Sequence, residues 1–144
     1  MAEKIAKGEV PDILFWVGCS GSFDDRAKKI TKALVKILNN CNVDFAVLGA
    51  EESCTGDPAK RAGNEFTFQM QAMMNIQVLD GYEVKKIVTA CPHCFNTLKN
   101  EYPELGGKYE VIHHTQLIQE LINQGQLVIK DGGVFKGKKI TFHD

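Results

Sequence analysis

The stretch Lys86-Ile87-Val88-Thr89-Ala90-Cys91-Pro92-His93-Cys94 passes from a β-branched, apolar run straight into a proline-led helical turn, with a thiol on each side of the proline. Three other runs share the strand character of its first half: Ile13 to Val17, Val43 to Leu48 and Tyr109 to Ile112. Segments of helical period lie between them. From about Asp24 to Asn39, Ala27, Ile30, Leu34, Ile37 and Leu38 fall on one face, with Ser22 or Asp24 as the cap. A second helix is expected from the Asp57-Pro58 pair to about Leu79, carrying Phe66, Met70, Met73, Met74 and Val78, with Gly81 ending it. A third begins at Pro92 and ends before Pro103, a fourth runs from Thr115 to Gly125, and a weak strand from Lys138 to Phe142 closes the chain. Strict alternation of strand and helix implies right-handed βαβ crossovers. The expected fold is therefore a doubly wound α/β domain, a mainly parallel sheet with helices on both faces.

A chain of 144 residues has room for one such domain, assigned to residues 12–144 after an N-terminal extension at residues 1–11. Seventeen basic and eighteen acidic residues leave a net charge of −1, without the basic footprint of a nucleic-acid binder. The longest uncharged stretch, Phe66 to Leu79, is too short and too polar to span a bilayer. The charged start, Met1 to Glu9, lacks the apolar core of a secretory signal, so the cytoplasm is the expected compartment.

Five cysteines, at positions 19, 41, 54, 91 and 94, are an odd number and a poor basis for a disulfide framework. Cys19 follows the first strand, Cys54 lies in the loop after the second, Cys91 ends the third, and Cys94 sits one helical turn on. In a parallel sheet all these loops leave from the carboxyl edge, where doubly wound folds place their ligands, so cysteines distant in sequence can meet there. Helix N-termini at the same edge favour thiolates or an anionic cluster. Cys41 falls at the opposite edge. Four thiolates have two common uses, a tetrahedral zinc and an iron–sulfur cluster, and spacing alone does not separate them.

The Cys91-Pro92-His93-Cys94 tetrapeptide also occurs in thioredoxin-fold oxidants, which makes a metal-free dithiol–disulfide oxidoreductase a further reading. That fold needs a proline-led strand and an antiparallel hairpin after the motif helix, and here only Pro103 follows. Gly18-Cys19-Ser20-Gly21-Ser22 is not a phosphatase loop, because Arg26 stands seven residues from Cys19 and follows two aspartates. No glycine-rich nucleotide motif is present. His113 and His114, after the fourth strand, read as capping histidines before metal ligands, and His93 as a group bordering the site. Lys60 and Arg61 flank the Cys54 loop, as site charges or as solvated helix-face charges.

Ile13-Leu14-Phe15-Trp16-Val17-Gly18-Cys19, the segment from Glu52 to Gly63 and the run from Cys91 to Leu98 together resemble the cysteine-rich CCG-domain family, which includes a subunit of heterodisulfide reductase and related iron–sulfur oxidoreductases. The resemblance covers Asp12 to Asp144. The family pattern is a lone Cys, then Cys-Cys-Gly, then CxxC. Matched by position, Cys19 is the lone Cys, Cys54 the second of the pair, and Cys91 and Cys94 the CxxC. Ser53 stands where the first paired Cys would be, and Thr55 interrupts the Cys-Cys-Gly wording. The resemblance thus implies an electron-transfer module of a heterodisulfide-reductase-like oxidoreductase with a cluster, [4Fe–4S] first, held by Cys19, Cys54, Cys91 and Cys94; the alternative to it, read from the thiols alone, is a structural domain stapled by zinc at the same four residues and serving as a docking surface. It implies no catalytic residue in this domain by itself. Family members usually carry the motif twice, and Ile140 to Asp144 looks like the lead-in to a second copy. The implied partner is that second cysteine-rich domain or another redox protein, flavoprotein- or quinone-linked.

Overall fold

Short apolar strands with β-branched residues pair best when both faces are covered, and the chain does this. The computed structural model describes residues 1–8, 10–130 and 133–141. Within them, β1 (Ile13–Trp16), β2 (Phe45–Ala46), β3 (Lys86–Thr89) and β4 (Glu110–His113) form one sheet in the order β2-β1-β3-β4, every pairing parallel. Register sets Leu14 beside Ile87 and Trp16 beside Thr89, and it sets Thr89 beside His113. The direction of winding reverses between β1 and β3, which opens a crevice at their carboxyl ends.

The helices are α1 (Ala2–Ala6), α2 (Gly18–Phe23), α3 (Asp25–Asn40), α4 (Asp57–Arg61), α5 (Glu65–Gly81), α6 (Pro92–Asn96) and α7 (His114–Asn123). A π-helical stretch (Thr97–Glu101) and a 3-10 turn (Tyr102–Leu105) prolong α6 to the glycines that follow. Alternation along the strands divides the core. Ile13 and Phe15 pack with Leu34 and Leu38 of α3 and Leu117 and Leu121 of α7 on one face. Leu14 and Trp16 pack with Phe68, Ala72 and Leu79 of α5 and with Leu98 and Tyr102 on the other. The domain is doubly wound, with helices on both faces as the alternation of elements implies.

Local differences from the sequence reading have local causes. Asp24, not Ser22, caps α3, accepting from the Ala27 N–H at 2.7 Å. The helix expected from Asp57 to Leu79 is two helices, because Gly63 interrupts it and Asn64 starts α5 afresh by accepting from the Thr67 N–H at 3.1 Å. Its buried face also differs. Phe66, Met70, Met73 and Met74 are exposed, whereas Phe68, Ala72, Asn75 and Leu79 are buried. A helix apolar all round gives periodicity no face to select, and small Ala72 and hydrogen-bonding Asn75 decide which side meets the sheet. The short α2 after β1 carries no apolar stripe and left no periodic signal. Of the weak C-terminal strand, residues 138–141 are not in a strand, and Phe142 lies outside the described residues. Within residues 1–11, α1 docks on the domain: the Met1 amino group donates to the Val47 carbonyl at 2.6 Å, and Lys4 pairs with Asp44.

Gly56 shows how tightly the Cys54 loop sits on α5. Its φ is +87°, and a Cβ there would lie 2.9 Å from Phe68 Cδ2 and 3.2 Å from the Phe68 carbonyl oxygen. Left-handed backbone costs an alanine about 1–2 kcal/mol and overpacking a further 1–3 kcal/mol. Gly56→Ala should therefore destabilise the domain by about 2–5 kcal/mol in urea unfolding, and a loss under 1 kcal/mol would show that the loop yields easily.

Candidate metal centre

Three loops bring four thiols to the crevice between β1 and β3. Cys19 lies in the first turn of α2, directly after β1; Cys54 lies in the loop between β2 and α4; Cys91 caps α6, and Cys94 sits in its first turn. All four line one cavity of about 310 Å³, together with Trp16, Ser53, Thr55, Asp57 and His93. Their exposure is graded, from the exposed Cys19 through Cys54 and Cys91 to the buried Cys94. Among the described residues, no group of three His, Cys, Asp or Glu side chains is arranged to hold a single metal ion. Cys41 is at the far end of α3, buried, with its thiol 3.6 Å from the Gln126 carbonyl.

The loops are fixed by groups that carry no periodic signal. Gly18, with φ +78°, lets the backbone pass so close that a Cβ there would stand 3.3 Å from Cys94 Sγ. The Glu52 carboxylate accepts from the Val17 N–H at 3.0 Å and the Gly18 N–H at 2.6 Å, tying the Cys19 loop to the Cys54 loop. Burial pushes that carboxyl above its usual range, opposed by the same two N–H groups. Behind Cys54, the Asn75 side chain donates to the Cys54 carbonyl at 2.9 Å and to the Tyr102 hydroxyl at 3.0 Å, and accepts from the Ser53 hydroxyl at 2.7 Å. Tyr102 in turn donates to the Thr55 carbonyl at 3.1 Å. Every polar atom of the Asn75 side chain is engaged.

On the opposite rim, Asp57 Oδ2 lies 3.2 Å from His93 Nδ1, while its Oδ1 accepts from Thr97 and pairs with Arg61 at 3.3 Å. Lys60 and Arg61 both reach Glu101, so these cations are used in ion pairs that brace α4 against the end of the α6 run. His113 and His114 do not line the cavity. His113 precedes α7, its N–H donating to Gln116 Oε1 at 2.8 Å, and its Nε2 lies 3.3 Å from the Ala90 carbonyl. Burial, then the neighbouring His113, holds the His114 imidazole below its usual pKa.

The CxxC pair is polarised. The Cys94 thiol donates to the Cys91 sulfur, and the N–H groups of Cys94 and His93 add to it, pulling Cys91 down to about 5 against the effect of burial. The same hydrogen bond, with burial, pushes Cys94 up. In the metal-free chain Cys91 is then mostly thiolate down to about pH 5, so its alkylation by iodoacetamide should be nearly flat from pH 8 to 6. An ordinary thiol loses about tenfold per pH unit there, and that behaviour at Cys91, read by mass spectrometry, would remove the polarised pair.

Five groups that shape this cavity have no role at the site in the sequence reading, where Asp57 serves only to start a helix: Trp16, Glu52, Asp57, Asn75 and Tyr102. The first three stand inside the motif stretches, so proximity to a cysteine was an available signal; Asn75 and Tyr102 reach the site only through tertiary packing.

The cysteine-rich domain family abbreviated CCG matches residues 13–99. The chain is 44% identical over 137 residues to an EtfAB:quinone oxidoreductase of Syntrophomonas wolfei, an alignment covering 95% of this chain and 19% of that protein. It is 45% identical over 138 residues to the probable iron-sulfur-binding oxidoreductase FadF of Bacillus subtilis, covering 96% and 19%. It is 32% identical over 139 residues to a dihydromethanophenazine:CoB–CoM heterodisulfide reductase polypeptide of Methanosarcina barkeri, covering 92% and 33%. The chain thus spans between 19% and 33% of the length of these relatives. No solved structure matches it.

Proposed function

This chain belongs to the cysteine-rich CCG-domain family, and on that premise we propose that it is an iron–sulfur electron-transfer module whose cluster is held by Cys19, Cys54, Cys91 and Cys94. The observation that carries the proposal is the single cavity lined by all four thiols, drawn from three loops at the switch point of the sheet. Its volume of about 310 Å³ suits a polynuclear group better than one ion bonded at about 2.3 Å to each sulfur. Soft thiolates are the donors that iron–sulfur clusters take. When bound, the cluster takes up and returns an electron at a potential set by burial and hydrogen bonds.

The chain's own groups then hold and shield it. Glu52 and Asn75 fix the backbone on which Cys19 and Cys54 stand. Ser53 keeps its hydroxyl on Asn75, and the proposed set stays at four ligands. A four-thiolate site leaves no place for a substrate sulfur on iron, so the role is electron relay and not disulfide cleavage. The names of the relatives support iron–sulfur binding, and that of the Syntrophomonas protein a flavoprotein donor and a quinone acceptor in a larger assembly. A second cysteine-rich domain is the nearest partner of this kind. Free thiols suit a reducing compartment, and we place the domain on the cytoplasmic side; no helix among the described residues is long and apolar enough to cross a membrane.

The polarised Cys91–Cys94 pair favours a second reading, a metal-free dithiol that reduces disulfides. A redox titration separates the two. The reconstituted chain should reduce and reoxidise reversibly with a small reductant and turn over disulfides little. Robust disulfide reduction by metal-free protein, lost in Cys91→Ser and retained in Cys19→Ser, would overturn the relay.

A further inference from the structure

Trp16 is fully buried and forms part of the wall of the four-thiol cavity, yet its indole N–H has no hydrogen-bond partner among the described residues. It belongs to the same core cluster as Leu14, Ile87, Leu98 and Cys94. A buried indole N–H normally finds an acceptor, and leaving it without one is a cost that phenylalanine, filling much of the same space, would avoid. An acceptor supplied by whatever occupies the cavity resolves this, and the acceptor atoms of an iron–sulfur cluster and its ligands are sulfurs. We propose that the Trp16 indole N–H donates a hydrogen bond to a sulfur of the bound cluster and raises its reduction potential. The inference rests on the cavity being a cluster site. Reduction adds negative charge to the cluster, and an N–H dipole aimed at a sulfur stabilises the reduced form more than the oxidised one. The contribution is electrostatic, so the ring as filler and the N–H as donor are separable.

The test uses Trp16→Phe in the full chain, reconstituted anaerobically beside the parent. Iron and sulfide content is measured first, then the potential by mediated titration. Equal loading with a more negative potential in Trp16→Phe is the expected result; equal loading with unchanged potentials would overturn the proposal. Trp16 is the only tryptophan in the sequence, so parent protein grown with 15N-indole tryptophan carries one labelled side chain. A 15N hyperfine coupling to the reduced cluster is expected from it, with coupling to the exchangeable indole proton. Their absence in a loaded parent would overturn the proposal even where Trp16→Phe fails to fold. A parent that takes up no iron and sulfide removes the cluster reading itself, a different failure seen in the first measurement.

Discussion

Replacing Cys94 by alanine is expected to reduce bound iron and sulfide to background while leaving the domain folded. The side chain sits in the first turn of α6, with 5% of its surface exposed, and its sulfur is hydrogen-bonded to Cys91 and Thr55. Alanine keeps the helix and removes only the thiol and its hydrogen bonds, at a stability cost of about 1 kcal/mol. The effect on the metal is of another order, because a three-thiolate site lacks one of the bonds that hold the cluster. Cys41→Ala is the control: Cys41 is equally buried in the other half of the core, at the far edge of the sheet, and its loss should leave metal content unchanged. Iron, sulfide and urea unfolding on the two variants give the comparison. Near-normal metal in Cys94→Ala would remove that thiol from the ligand set.

Asn75→Ala is expected to cost stability without touching a thiol. The substitution leaves the Cys54 carbonyl without its donor and Ser53 without its acceptor, and opens a small cavity between α5 and Tyr102. The sum is about 2–4 kcal/mol, read as a lower urea midpoint at unchanged slope. Because Asn75 holds the backbone at Cys54, cluster occupancy should fall as well. Met73→Ala on the same helix is 61% exposed in the parent and should change stability by about 0.5 kcal/mol or less. An Asn75 variant as stable as the parent would mean that the loop before α4 is held by something else.

That contrast also shows where the sequence was readable. The runs at β1, β3 and β4 and the stripe of α3 are strongly patterned, and with them the parallel sheet and its carboxyl edge were legible. So was the arrival of four loop cysteines at one edge, where they line one cavity, since in a parallel sheet topology alone directs those loops to one side. The buried face of α5 was not legible. Phe66, Met70, Met73 and Met74 look like a core stripe, but Asn75, a polar residue, marks the true inner face because its partners are Ser53, Cys54 and Tyr102. The break at Gly63 was written in the Gly63-Asn64 pair, a stop followed by a cap, and was outweighed by the apolar run beyond it. Glu52 reads as an ordinary surface acid until the Val17 and Gly18 N–H groups are placed against it. Cavity walls of this kind depend on contacts between distant residues, and no local period records them.

The most direct test is the iron, acid-labile sulfide and zinc content of the chain after anaerobic purification and reconstitution. Iron and sulfide should be present in equal amounts, about four of each per chain for a [4Fe–4S] cluster, with no zinc at the site. They should fall to background on replacing Cys19, Cys54, Cys91 or Cys94. One zinc per chain without sulfide, or a chain that stays free of metal, would contradict the account.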